Sequence, residues 1–109
     1  MGVILAPLAA DKVGAWRDWA ASMTGPRKAE LDDFNKRNGL TKHEAWICET
    51  PAGTVICAIH EGPGAPHLMP TLAKSTNAFD REFVGFLEAM HGMDVNKPPP
   101  GPMPTKVIG

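Results

Sequence analysis

Residues 41–62 read TKHEAWICETPAGTVICAIHEG, and the way this stretch pairs with itself decides the fold. Two runs rich in β-branched and aromatic residues flank Thr50-Pro51-Ala52-Gly53-Thr54, which reads as a β-hairpin. Pro51 presets φ at the second turn position, and Gly53 accepts the left-handed conformation that closes a three-residue loop. With Thr50 opposite Thr54, Cys48 faces Ile56, Trp46 faces Ala58 and Glu44 faces His60. Side chains alternate across a strand, so these six share one face, and Ala45, Ile47, Val55, Cys57 and Ile59 share the other. The second face is a plain apolar core surface. The first gathers an indole, a thiol, a carboxylate and an imidazole, and chemistry is expected there.

Upstream, Val3 to Leu8 is apolar and β-compatible, a first strand. Asp11 stands where it can cap a helix beginning at Lys12. Val13, Trp16, Ala20 and Met23 recur at helical spacing, with Trp19 beside them. Gly25-Pro26 interrupts this pattern, because proline lacks a donor and clashes with the preceding turn. It resumes from Lys28 to Asn38 with Ala29, Leu31 and Phe34 as the apolar members, giving one kinked helix or two abutting ones. Asn38-Gly39 is a helix stop.

Downstream, Gly62-Pro63-Gly64-Ala65-Pro66 is a loop. A short helix over His67–Ser75 begins near Leu68 or Met69, with Pro70 in its first turn. Asn77 caps a longer helix whose stripe is Phe79, Phe83, Phe86, Leu87 and Met90, closed by Gly92. Residues 96–104 are proline-rich and extended, and Thr105–Ile108 is expected as a final edge strand.

The 109 residues suit one domain, 1–109, burying roughly two-thirds of its unfolded surface. A net charge of -1 argues against a nucleic-acid or membrane-surface partner. No apolar run approaches the ~18 residues of a membrane span. The opening MGVILAPLAA lacks a basic lead and reads as a strand rather than a signal peptide. With no export signal read there, a cytoplasmic location with reduced thiols is the expectation; Cys48 and Cys57 point to opposite faces in this register, so no disulfide is expected between them, though a shift by one would bring them across from each other. There is no zinc-type Cys/His spacing, no phosphate-cradling glycine loop and no HExxH, so no metal and no cofactor are expected.

The order strand, helix, hairpin, short helix, helix, strand is the ferredoxin-like β-α-β-β-α-β plan: α+β, with a four-stranded antiparallel sheet and helices on one face. The bare face would leave Trp46, Ile56 and Ala58 in water. A second copy laid sheet against sheet covers them, so a homodimer is expected.

Several short features accompany this plan: Gly39 with Glu44-Ala45-Trp46, the Pro51-Ala52-Gly53 turn, Glu61, and Leu72-Ala73-Lys74-Ser75 before Phe79-Asp80. With them the chain resembles the dimeric α+β barrel superfamily, and within it small bacterial proteins of unknown function. That superfamily includes cofactor-independent monooxygenases of the antibiotic-biosynthesis type, haem-degrading enzymes, muconolactone isomerases and dye-decolorising peroxidases. The resemblance implies a dimeric barrel and a pocket between sheet and helices. It does not imply a reaction, and no haem-ligand motif carries over.

Among site candidates His60 and Glu44 come first. A carboxylate opposite an imidazole orients it and stabilises its charged form, making a general base; the plain alternative is a cross-strand polar pair worth about 0.2–1 kcal/mol. Trp46 is either a platform for a flat ligand or packing at a core or dimer interface. Cys48 lacks a neighbouring cation to activate it, so it is either ligand-facing or an inert thiol. Trp16 is core, while Trp19 can edge a pocket. His67 belongs either to a lid or to an exposed loop. Arg17 and Arg81 are carboxylate-binding candidates or surface charge. His43 and His91 receive no role, and Asp80 is the first-turn acid of its helix.

The expected function is therefore a pocket for a small aromatic or apolar metabolite. His60, assisted by Glu44, would remove a proton, and the carbanion or phenolate would isomerise or react with oxygen, as in a cofactor-independent monooxygenase or isomerase. The alternative is a non-catalytic dimeric module for ligand binding or structure.

Overall fold

Residues 2–97 and 104–109 are described by a computed structural model. In chain order the elements are β1 (Gly2–Leu8), α1 (Val13–Thr24), α2 (Lys28–Arg37), β2 (Lys42–Thr50), β3 (Gly53–Glu61), α3 (Leu68–Lys74) and α4 (Ala78–His91). Single 3-10 turns at Ala10–Lys12 and Ala65–His67 lead into α1 and α3. The class is α+β, with a three-stranded antiparallel sheet in the order β1-β3-β2. β3 thus lies between the two strands that α1 and α2 connect, which is the split βαβ arrangement.

The hairpin pairs one residue out of step with the sequence expectation. Thr50 lies opposite Gly53, so Ile47 faces Ile56, Ala45 faces Ala58, and His43 faces His60. Thr50 is the cause. Its hydroxyl accepts from the Ala52 N–H at 3.2 Å and donates to the Gly53 carbonyl at 2.6 Å. These bonds close the turn over Pro51 and Ala52 alone, and Gly53, at φ +131°, becomes the first residue of β3. β2 keeps its expected faces, but β3 is turned over. Ile56, Ala58 and His60 face the helices, and Val55, Cys57 and Ile59 join Glu44, Trp46 and Cys48 on the outer side.

The expected fourth strand is not formed. Thr105–Ile108 has no regular structure, and Val107 and Ile108 stand 88% and 90% exposed. Most of the proline-rich stretch, residues 98–103, lies outside the described residues.

α1 and α2 are two separate helices, divided at Gly25-Pro26-Arg27. Asp11 does not cap α1; the 3-10 turn intervenes and Lys12 holds the cap position without a side-chain bond. Asn77 does cap α4, accepting from the Phe79 and Asp80 amides at 2.9 and 3.3 Å, and Gly92 ends it at φ +66°. The core has two parts. Phe34, Leu40, Leu68, Leu72 and Phe83 pack α2, α3 and α4 together. Leu8, Trp16 and Ile56 join α1 to the sheet, with Val13, Ala20, Ile47, Phe86 and Met90 around them.

One polar contact locks the helical layer. Asp80, 2% exposed, accepts both Arg37 Nη atoms at 3.0 and 3.1 Å and the Ser75 hydroxyl at 2.6 Å. Burial alone would raise its pKa. The hydrogen bonds from Arg37 and Ser75, with the charges of Arg37 and Arg81, outweigh that and hold the carboxyl below its ordinary value. Asp80 stands in the first turn of α4 as expected, and it is also the tie between α2 and α4. At the far side, Gly64 N–H donates to Gly39 O at 2.9 Å where two loops cross; a Cβ on Gly64 would sit 1.7 Å from Asn38 O.

Candidate functional site

Between the sheet and the helices lies a cavity of about 210 Å³. Its floor is the inner face of the sheet: Ile4 and Ala6 on β1, Ala45 on β2, Ile56 and Ala58 on β3. The walls come from Trp16, Trp19 and Met23 on α1 and from Phe83, Phe86 and Leu87 on α4. Trp19 stacks on Phe86 with ring centroids 4.1 Å apart and a 10° interplanar angle, so the aromatic wall is held rigidly. Ala45 and Thr24 are exposed, placing the opening where the edge strand β2 leaves the helices' cover. This surface is hydrophobic because the α1 and α4 stripes and the sheet face all point inward and do not quite meet.

Three imidazoles interrupt it. His43 and His60, a cross-strand pair, have ring centroids 4.7 Å apart. His43 Nδ1 lies 2.7 Å from Asn35 Oδ1 on α2. His60 is 4% exposed and has no hydrogen-bond partner among the described residues. Yet no fully enclosed side-chain nitrogen or oxygen among those residues lacks a partner, so the polar edge of His60 borders the open space of the cavity. His91, at the end of α4, also borders the cavity and donates from Nδ1 to the Pro7 carbonyl at 2.9 Å.

Burial disfavours the charged form of all three. His43 is lowered to about 4 by burial and then by the neighbouring His60. His60 is lowered by burial. His91 is lowered by burial and by the charge of Lys12, against the Pro7 carbonyl, which favours the proton. At neutral pH the site is uncharged: aromatic walls with neutral imidazoles set among them.

The residues expected to form the site are divided by the register. His60 and Trp19 border the cavity. Glu44 lies opposite Ile59 on the outer face and is exposed, so it is not brought to His60. Trp46, opposite Cys57 and 59% exposed, and Cys48, opposite Val55, lie on that same outer face. Both cysteines are free and share that face rather than pointing apart. His67 is exposed in the turn before α3. Arg17 pairs with Glu49 at 3.3 Å on the surface, and Arg81 donates to the Leu72 carbonyl. The sequence reading missed His43, Asn35 and His91. A two-residue turn at Pro51-Ala52 would have put His43 opposite His60, and the Thr50 hydroxyl was the available clue.

No group of three His, Cys, Asp or Glu side chains among the described residues is arranged to hold a metal ion. No helix among them is long and apolar enough to cross a membrane. The fold and site define an α+β domain with an internal, imidazole-bearing apolar cavity. Compared with protein-family models, curated proteins and solved structures, the chain matches none.

Proposed function

We propose that this chain is the subunit of a homodimeric small-molecule pocket protein, which holds a small aromatic or apolar molecule between its sheet and its helices. The observation that carries the reading is the cavity of about 210 Å³ with His60 presenting an unpartnered polar edge to it. An apolar cavity of roughly 150 Å³ accommodates a benzene ring, so the space here suits one substituted ring.

Binding without turnover is the favoured form. A cofactor-independent monooxygenase or isomerase would need His60 to take and hold a proton. Burial opposes an imidazolium there, and Glu44, which would have stabilised one, lies across the sheet. The dimer covers the outer face, where Val3, Leu5, Val55, Cys57 and Ile59 surround Trp46. The barrel that the resemblance implies would form around this sheet-to-sheet contact.

Ala58 lines the cavity floor, so Ala58→Phe fills it from within. The wild-type protein takes up toluene or phenol, read by calorimetry and by indole emission, and Ala58→Phe reduces this uptake at least tenfold without loss of the fold. Equal uptake by both proteins, or uptake of neither compound by the wild type, overturns the pocket.

A further inference from the structure

The Asn35 amide is oriented with Oδ1 toward His43 Nδ1 at 2.7 Å. An amide oxygen accepts and never donates, so a neutral His43 keeps its proton on Nδ1. The other nitrogen, Nε2, then carries a lone pair. It has no partner among the described residues and is not sealed off, and the ring borders the cavity. His60 differs: neither of its nitrogens is engaged, so its tautomer is free to follow whatever binds.

We infer that His43, held in one tautomer by Asn35, is the fixed hydrogen-bond acceptor of the cavity, and that the ligand is a neutral single-ring molecule carrying an O–H donor, of the phenol class. The inference rests on the pocket reading above and narrows it. The charge state of the ligand follows from the walls. Among the described residues neither lysine nor arginine lines the cavity, so a carboxylate or phosphate would meet no permanent positive charge there. A ring with no donor would leave Nε2 dry and unpaired, which opposes binding. His43 Nε2 as acceptor, with the aromatic wall of Trp19, Phe83 and Phe86, selects for a hydroxyl on a flat ring. Asn35 is a positioning residue, acting only through His43.

Phenol and toluene differ by a hydroxyl in place of a methyl, so their affinity ratio isolates the acceptor. Calorimetry is run with both on the wild type, His43→Phe and His60→Phe, and the imidazole tautomers are read by 15N NMR in the wild type and in Asn35→Leu. The expected result is a phenol-to-toluene ratio that falls at least tenfold in His43→Phe and changes less in His60→Phe. His43 is then protonated on Nδ1 in the wild type and shifts toward the Nε2–H form in Asn35→Leu. If toluene binds but the ratio is unmoved by His43→Phe, or if His43 carries its proton on Nε2 in the wild type, the inference is overturned and the pocket stands. If neither probe binds, the pocket reading falls and takes the inference with it.

Discussion

A single carboxylate does more for the helical layer than its place in the sequence suggests. Asp80 is 2% exposed and is held by Arg37 and Ser75, so its removal leaves a guanidinium facing a buried gap and a hydroxyl without its acceptor. Arg37 keeps about a third of its side chain in water, which softens the loss. Asp80→Ala is expected to cost about 2–4 kcal/mol, seen as a fall in Tm of ~10 °C or more for a domain of this size. A Tm within a few degrees of wild type would mean that the α2–α4 tie is not structural. The sequence showed Asp80 as a residue in the first turn of a helix and no more, because its partners lie 43 and 5 positions away and neither separation carries a pattern.

The elements themselves were far more legible than their pairing. Helix α4 could be read from Asn77 to Gly92 because a cap, a 3.6-residue stripe and a stop all agree within one local segment. The hairpin was equally plain, yet its register depended on one hydroxyl. Thr50 can close a loop of two residues or stand before a loop of three, and only the bonds to Ala52 and Gly53 decide between them. That choice separated Glu44 from His60 and joined His43 to it. The consequence is measurable by NMR titration. His60 and His43 should both titrate below the usual 6.5, His43 at about 4, and Glu44→Gln should leave both midpoints where they are. Because the folded-state values lie below the unfolded one, the unfolded chain binds protons first as pH falls. The stability linked to these imidazoles is therefore complete above about pH 6.5 and is lost as pH falls toward 4. A His60 midpoint that drops further in Glu44→Gln would restore the expected pair.

At the scale of the whole molecule the unsolved surface is the outer side of the sheet. Trp46 is 59% and Leu5 51% exposed, on a face that three strands about 4.8 Å apart, one of seven residues and two of nine, make roughly 400 Å² in plan. That lies within the roughly 300–600 Å² of the largest patch on a typical lone chain, a size that is often a functional surface. A two-fold dimer across it is expected at micromolar concentration by sedimentation equilibrium, and Trp46→Lys should return the mass to that of one chain. Trp16 and Trp19 lie inside, so dissociation of the wild-type dimer on dilution would appear as a red shift of the indole emission from Trp46. A wild-type mass of 11.7 kDa would end the proposal. That Trp46 lies on the outer face was legible in the sequence; which side chains share that face was not, since it rests on the same hairpin register.

The two-residue turn also sets how the chain tolerates changes in length. An added residue at Pro51-Ala52 can be absorbed by a wider loop at the small entropic cost of a longer closure. The same residue added between Ile56 and Cys57 has nowhere to go. Every side chain beyond it would swap sides, carrying His60 out to solvent and Glu61 inward. Length polymorphism is thus permitted at the tip and forbidden a few positions later, a boundary that insertion scanning along the hairpin would trace residue by residue.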